Sequence, residues 1–576
     1  MAASGAWYSR AMRQRAPSIV LAVALVALAV WRAACVVAGP DIDTDAYAHH
    51  MIARAVLSDP FDLAVHWVWL PLFHYLQVPL VALGGTMDFV RWVNVILAAA
   101  LPVAVYVYVS HTTNLFGVGA PNNKPGAAPN DKPGAAPNDK PGAAPNDKPG
   151  AAPNDKPGAA PNDKPGTAHL GLWPPQATAL FAALLAAACP ISMQIGTTAQ
   201  PEPLFALLVF GVATAFQFRR DVTAAVLLGA AVLLRYEAWA ALAAIVIIAI
   251  AERWPHARGD LKPSGAIAGA ADRRSRAWLV ALFPAALILA WAALRRPVDQ
   301  QWFGFLRQTQ EFAISAIPRT NRLGGHLAGL LSDLLYYPLA VPLRVIGPAL
   351  ALVPFGIART VRQQGNRFTL ILVACLGFVS LAWARRSTLG LDRHFVVVVP
   401  LYAIAAAQGL ATLVDGTATL GRRLATEKRA IVAARALGSV FGAASLAGLG
   451  VMLFVWMGFW RASIRRGWPD RQAIAAFLRS VPQSSTLFCD EATVEILSGL
   501  DRRRFDRHWV DDPHTWEIVV ADARARGVAY VATWHRKLVG HESAGTVVLR
   551  AGQVDGQPDS GFSVMRIATD ESRSAR

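Results

Sequence analysis

Residues 18–38 read SIVLAVALVALAVWRAACVVA, and this run decides the class of the molecule. Arg10, Arg13 and Arg15 precede it, the pattern of a basic leader before an apolar core. A cleaved signal peptide carries an apolar core of only about 7–15 residues, whereas about 20 are needed to cross a bilayer. The run is therefore read as an uncleaved first transmembrane helix with the N-terminus in the cytoplasm. Working outward, ten more apolar stretches follow at 89–110, 174–190, 202–218, 222–236, 238–251, 277–294, 336–357, 368–384, 395–414 and 437–459. The composition agrees: 54% of residues are hydrophobic and 16% charged, where soluble domains carry roughly a quarter charged residues.

The formal net charge is +17. Its arginines fall in short clusters between the apolar spans, where they orient a membrane protein and meet anionic lipid headgroups. No recognition motif accompanies the charge, so nucleic acid is not expected as a partner. Alternate crossing from a cytoplasmic N-terminus puts Arg219 and Arg220 inside, then 253–276 with Arg273 and Arg274. Arg359, Arg362 and Arg367 follow on the same side, and then Arg422, Arg423, Lys428 and Arg429. One alternation satisfies every basic loop. The outer side then receives 39–88, 191–201, the turn near 235–237, 295–335, 385–394 and the C-terminal tail.

The chain divides into four parts. Residues 1–118 hold the first two spans and an acidic outer loop. Residues 119–166 are low-complexity: five identical copies of Gly-Ala-Ala-Pro-Asn-Asp-Lys-Pro run over 126–165, and frequent proline with little apolar surface predicts an extended linker. Residues 167–460 hold the other spans. Residues 461–576 read as a soluble extracytoplasmic domain: AIAAFLRSV has helical spacing, while STLFCD, VAYVATW and RIA suggest a small sheet. The predicted class is a mainly α, polytopic helical membrane bundle with interfacial helices in the first outer loop and a small C-terminal soluble α/β domain. Cys35, Cys189, Cys375 and Cys489 are scattered, with neither a disulfide framework nor zinc spacing.

The first outer loop, GPDIDTDAYAHHMIARAVL from Gly39, alternates Asp41, Asp43 and Asp45 at the membrane surface. Crowded carboxylates repel and raise the pKa of at least one, which suits a base or a cation site. The plainer alternative is an acidic turn with Asp43 or Asp45 capping the next helix. Tyr47, Met51, Ile52, Val56 and Leu57 lie on one face of that helix. His49, His50, His66 and His74 follow without the cysteine or HExxH pattern of a zinc site, and read as interfacial or acceptor-contact residues. Trp67, Trp69, Phe73 and Tyr75 suit an interfacial aromatic belt.

Five segments in order resemble the GT-C glycosyltransferase superfamily, and within it the protein-mannosyltransferase and aminoarabinose-transferase type. They are DTDAYAHHMIARAVL, HWVWLPLFHYLQVPL, AQPEPLFALLVF, LLRYEAWAALAAIVI and DRHFVVVVPLYAI. The last has His394 and Phe395 where an aromatic is usual. The resemblance spans about 1–110 and 170–480. It implies an inverting enzyme that moves a sugar from a polyprenyl-phosphate donor to a lipid, glycan or protein acceptor at the outer membrane face. A loop-one aspartate would deprotonate the acceptor, and the match places that role on Asp43, with Asp45 the near rival.

Such a reaction leaves a phosphate, so charge stabilisation and positioning dominate. Arg393, Arg235 and His394 are the candidate donor-phosphate ligands, with Arg385 and Arg386 more distant ones. Glu202 and Glu237 lie at the outer ends of apolar spans, where ionisable groups are paired or functional. With Tyr47 and His74 they are the candidate substrate contacts. No cofactor is demanded, although paired carboxylates beside a phosphate would suit a divalent cation, Mg or Mn. The competing readings are a polytopic lipid or glycan transporter and a noncatalytic subunit of a cell-envelope assembly complex. A transporter would place its key charges near mid-depth, within repeated halves.

Overall fold

The computed structural model describes residues 2–117, 172–253, 277–316, 326–424, 426–506, 523–535, 538–540, 542–553 and 561–567. The repeat insert and the loop carrying Arg273 and Arg274 lie outside the described residues. Each of the eleven apolar stretches falls on helix. Among the described residues, seven helical segments are long and apolar enough to cross a membrane, including Ala16–Ala38, Met87–Thr113, Asn366–Ala384 and Asp392–Arg422. The chain is an integral membrane protein of mainly helical fold.

Helix α1 (Ala2–Ala38) ends at the acidic loop, and α2 (Thr44–Ser58) and α3 (Leu72–Ala82) follow. Asp43 is the N-cap of α2: its carboxylate accepts a hydrogen bond from the Asp45 amide at 3.1 Å. Asp41 does the same one step earlier, accepting from the Asp43 amide at 2.9 Å. The alternating aspartates thus satisfy orphan amide donors at a helix start. As the periodicity predicts, Tyr47, Met51, Ile52 and Val56 are buried. Leu57 is exposed.

The bundle continues with α4 (Met87–Gly117), α5 (Pro175–Ala187), α6 (Pro190–Ile195), α7 (Glu202–Gln217), α8 (Asp221–Val232) and α9 (Glu237–Arg253). Then come α10 (Ala277–Asp299), α11 (Gly304–Ala316) and α12 (His326–Leu335). A helical segment broken into π, α and 3-10 turns leads from Tyr336 into α13 (Val353–Gln364). Helix α14 (Asn366–Ala384) follows it, and a 3-10 turn, Asp392–Val398, opens α15 (Val399–Leu424) before the long α16 (Glu427–Arg466). One end of the bundle is tied by Arg367, which pairs with Glu252, and by Arg219, 3.5 Å from the same carboxylate. The ends of α7 and α9 and the start of α14 therefore meet there. The acidic loop and the starts of α7, α9 and the Asp392–Val398 turn meet at the other.

Small residues let the helices approach closely. A Cβ on Gly356 of α13 would lie 1.8 Å from the Ala405 carbonyl oxygen of α15, and one on Gly409 would lie 1.9 Å from that of Leu352. Gly356→Leu is expected to destabilise the bundle by about 1–3 kcal/mol, the usual cost of overpacking. A lowered melting temperature of the purified protein in detergent checks this, and an unchanged one would show that the contact yields freely.

After α16 the chain leaves the bundle through Gly467, at φ +57°, and forms α17 (Pro469–Ser480) over a five-stranded sheet. The strands are β1 (Leu487–Cys489), β2 (Phe505–Asp506), β3 (Tyr530–Trp534), β4 (Gly545–Ala551) and β5 (Phe562–Ile567), in spatial order β2-β1-β3-β5-β4. The β1 strand is parallel to β2 and β3, and β5 is antiparallel to β3 and β4. This small sheet was expected from STLFCD, VAYVATW and RIA. The segment that enters this domain meets the acidic loop: Trp468 Nε1 donates to the Asp41 carbonyl at 3.0 Å. All four cysteines are buried and free.

Candidate active site

Helix ends bring the charges together. Glu202 opens α7, Arg235 lies in the turn between α8 and α9, and Glu237 opens α9. Arg393 and His394 lie in the turn before α15, and Asp43 and Asp45 begin α2. Carboxylates at helix starts also meet the positive end of the helix dipole. Arg393 Nη1 donates to Asp43 Oδ2 at 2.5 Å, and Arg393 Nη2 donates to Asp45. Its Nε lies 3.4 Å from Glu202 Oε1. Arg235 binds the same Glu202 oxygen at 2.6 Å and Glu237 at 2.8 Å. Glu202 thus joins the two arginines.

His394 Nδ1 lies 2.8 Å from Arg235 Nη2 and 2.9 Å from Glu237 Oε1. That nitrogen accepts from the arginine or donates to the carboxylate, and cannot do both in one tautomer. Two guanidinium groups face four carboxylates in this cluster, so negative charge is in excess. The excess falls unequally on loop one. Burial pushes the Asp43 carboxyl up, more than Arg393 lowers it. For Asp45, burial also pushes up, but Arg393, seconded by His49, holds the group below the usual carboxylate range.

A cavity of about 430 Å³ opens on this cluster. Asp45, Arg235, Glu237, Arg393 and His394 line it, and so do His49, Trp69, Phe73, Tyr236 and Trp239. Helix α11 closes one side with Leu306, Thr309, Phe312 and Ala313, and α14 contributes Phe378, Val379 and Arg385. Most of the wall is apolar and the polar groups converge at one place, the usual form of a small-molecule or lipid site.

Not every residue expected at the site reaches the cavity. Asp43 and Glu202 lie behind the wall, each one ion pair away from it through Arg393. Tyr47 is buried and spends its hydroxyl on the Asp41 carbonyl at 2.8 Å. His74 is buried between His49 and His66. Among the described residues no group of three or more His, Cys, Asp or Glu is placed to hold a metal ion.

Arg385, expected only as a distant candidate, lines the cavity, and among the described residues no carboxylate pairs with it. Its position directly after Ala384, the last apolar residue of a span, was the signal. The wall residues of α11 were not foreseen. Their helical spacing at Leu306, Thr309 and Ala313 was the available clue.

No family model and no curated relative matches the sequence. Solved structures do match. ArnT from Cupriavidus metallidurans in the apo state aligns with a TM-score of 0.52 at 13% identity, covering 98% of each chain. The same protein bound to undecaprenyl phosphate aligns with a TM-score of 0.53 at 12% identity, over 95% of this chain and 98% of that one.

Proposed function

We propose that this chain, which has the GT-C fold it shares with ArnT, is a membrane glycosyltransferase that takes its sugar from a polyprenyl-phosphate carrier. The observation that carries the reading is the cavity itself: an apolar wall, a carboxylate at Asp45 and three arginines, Arg235, Arg385 and Arg393, at one end of the helical bundle. The apolar wall suits a lipid carrier, and a guanidinium suits its phosphate. The undecaprenyl phosphate held by the ArnT neighbour is consistent with such a donor.

In this reading the base is a loop-one carboxylate. Asp45 is the better placed of the two, because it lines the cavity and Arg393 occupies only one of its oxygens. Asp43 has one oxygen on Arg393 and the other on the Asp45 amide. Deprotonation of an acceptor hydroxyl by Asp45 would accompany attack on the anomeric carbon from the face opposite the phosphate, with inversion. Arg393 and Arg235 are already engaged by carboxylates, so among the described residues lining the cavity Arg385 is the cation free to meet the charge that grows on the departing phosphate. In this reading the face lies outside the cytoplasm at a plasma membrane, with the C-terminal domain on the same side, which the basic loops at the opposite ends of the spans support. A transporter fits less well, since the charges gather at helix ends and not at mid-depth.

Mass spectrometry of lipid-linked sugars and surface glycans, with and without the protein, tests the proposal. Loss of the protein should accumulate one glycosylated polyprenyl phosphate and remove one sugar from a glycan. Arg385→Gln should raise the KM for that donor about tenfold, the order of a charge-assisted hydrogen bond, and leave folding intact. Labelled lipid that crosses sealed vesicles without glycoside formation would favour transport and sink the enzyme reading.

A further inference from the structure

The acidic loop carries a second structure that sugar transfer as described does not use. His49, His74 and His66 form a continuous chain of ring-to-ring hydrogen bonds. His49 Nδ1 lies 2.9 Å from His74 Nε2, and His74 Nδ1 lies 2.8 Å from His66 Nδ1. All three rings are buried. His74 spends both nitrogens on its neighbours, so the three form a line and not a cage that could converge on one metal ion. One end of the line is at the cavity, where His49 stands one helical turn after Asp45 on the same face of α2. At the other end, His66 Nε2 is buried with no hydrogen-bond partner among the described residues. That ring lies beside Tyr75, which is 37% exposed and reaches the surface.

Burial of unpaired polar atoms is costly, and a relay terminus accounts for one left without a partner. The rings are also held in the form a relay needs. Burial brings His49 down to about 4, against the pull of Asp45 and Glu202 and with help from Arg393 and Arg235. Burial and then Arg295 bring His66 down to about 3. Neutral imidazoles each carry one N–H and one lone pair, so the line has two tautomeric states that differ by the passage of one proton.

We propose that His49, His74 and His66 form a proton wire between the cavity and the surface beside Tyr75, which exports the proton released by the acceptor hydroxyl. The proposal rests on the sugar-transfer reading for the origin of that proton. As the acceptor oxygen bonds to the anomeric carbon, the bond from that carbon to the phosphate oxygen breaks and its electron pair stays on the phosphate. The hydroxyl proton goes to Asp45 and crosses through one cavity water to His49 Nε2. His49 Nδ1–H then passes to His74 Nε2, His74 Nδ1–H to His66 Nδ1, and His66 Nε2–H to solvent. The wire is left in its other tautomeric state. The reverse passage, a solvent proton entering at His66 and leaving from His49 to the departing carrier phosphate, resets it. Over the cycle the acceptor has lost one proton and the carrier phosphate has gained one. His74 and His66 touch no substrate in this scheme and act through His49.

Nitrogen-15 NMR of the full chain, histidine-labelled and in lipid nanodiscs, tests the wire without any substrate. Couplings across the His49–His74 and His74–His66 hydrogen bonds are expected. In His66→Phe, the tautomer ratio of His49 should change although the two rings do not touch. Absence of those couplings, or an unchanged His49, would overturn the wire whether or not the protein transfers sugar. Activity then tests its use: in His66→Phe, kcat should fall at least about tenfold, part of the 10²–10⁴-fold that positioned proton transfer supplies. The KM for the donor should hold, and the dependence of rate on D2O fraction should turn from bowed to linear. A packing defect would move the melting temperature and KM but leave that dependence bowed, which would overturn the role in turnover. Wild-type protein that makes no glycoside would remove the sugar-transfer reading alone, and the couplings would still decide the wire.

Discussion

Replacing Arg393 with alanine is expected both to stop sugar transfer and to lower the stability of the fold. The side chain touches three carboxylates: Asp43 at 2.5 Å, Asp45, and Glu202 at 3.4 Å. These come from α2 and α7, while Arg393 comes from the turn before α15, so one guanidinium fastens three parts of the bundle. Removing one member of a buried ion pair costs about 3–5 kcal/mol because the other charge stays behind uncompensated. Here two are left, Asp43 and Asp45, because Glu202 keeps Arg235 at 2.6 Å. The sequence alone suggested a donor-phosphate ligand, and the geometry adds the effect on stability.

A compensating change separates the two effects. Asp43→Asn in the Arg393→Ala background removes one of the orphaned charges yet keeps a good N-cap, since asparagine caps about as well as aspartate. The double variant should recover part of the lost melting temperature and none of the lost turnover. Thermal unfolding in detergent and product formation from the lipid-linked donor give the two readouts. A single variant that melts like the wild type would show that Arg393 does not hold the cluster. Restored turnover in the double variant would show that Arg393 only neutralises Asp43.

What could be read from the sequence depended on range along the chain. Local signals carried well: apolar length gave the eleven helical stretches, and the Asp-x-Asp pattern offered a cap at Asp43 or Asp45, of which Asp43 is the N-cap. Arg235 and Glu237, two residues apart, form an ion pair that is local in sequence. Contacts across the bundle were another matter. Arg393 and Asp43 are 350 positions apart, and nothing in the periodicity of either helix states which neighbour its polar end will meet. Periodicity did put Tyr47 on a buried face, but not whether that face met the cavity or the packed interior. Its hydroxyl proves to be engaged by the Asp41 carbonyl. His74 was legible as an interfacial histidine, whereas its place between two other rings required α2, α3 and the 63–66 turn to pack together. That four carboxylates surround Arg235 and Arg393 also emerged only in three dimensions. Both of those arginines are engaged by carboxylates, and among the described residues Arg385 is the cavity arginine that no carboxylate pairs with.

Asp45→Asn should lower kcat by about 10²–10⁴-fold, the usual contribution of a positioned general base, while the KM for the donor changes only slightly. The amide keeps the size of the side chain but cannot take the acceptor proton. Asp43→Asn should cost much less, because the asparagine still caps α2 and the cavity wall is unchanged. The pH dependence of kcat/KM gives an independent check, because the two carboxylates are shifted in opposite directions. A base must be ionised to work. Arg393, His49 and His394 together outweigh burial at Asp45 and hold it below the ordinary carboxylate range, so its activity should stay level through neutrality and fall only in acid, below the ordinary carboxylate pKa. Burial raises Asp43 above that range, so a base at Asp43 would lose activity at a higher pH, as it took up a proton. An acid limb above the ordinary carboxylate pKa, together with an inactive Asp43→Asn and an active Asp45→Asn, would return the role to Asp43. The opposite pattern leaves Asp43 as the residue that starts α2 and helps to aim Arg393, one ion pair behind the reacting groups.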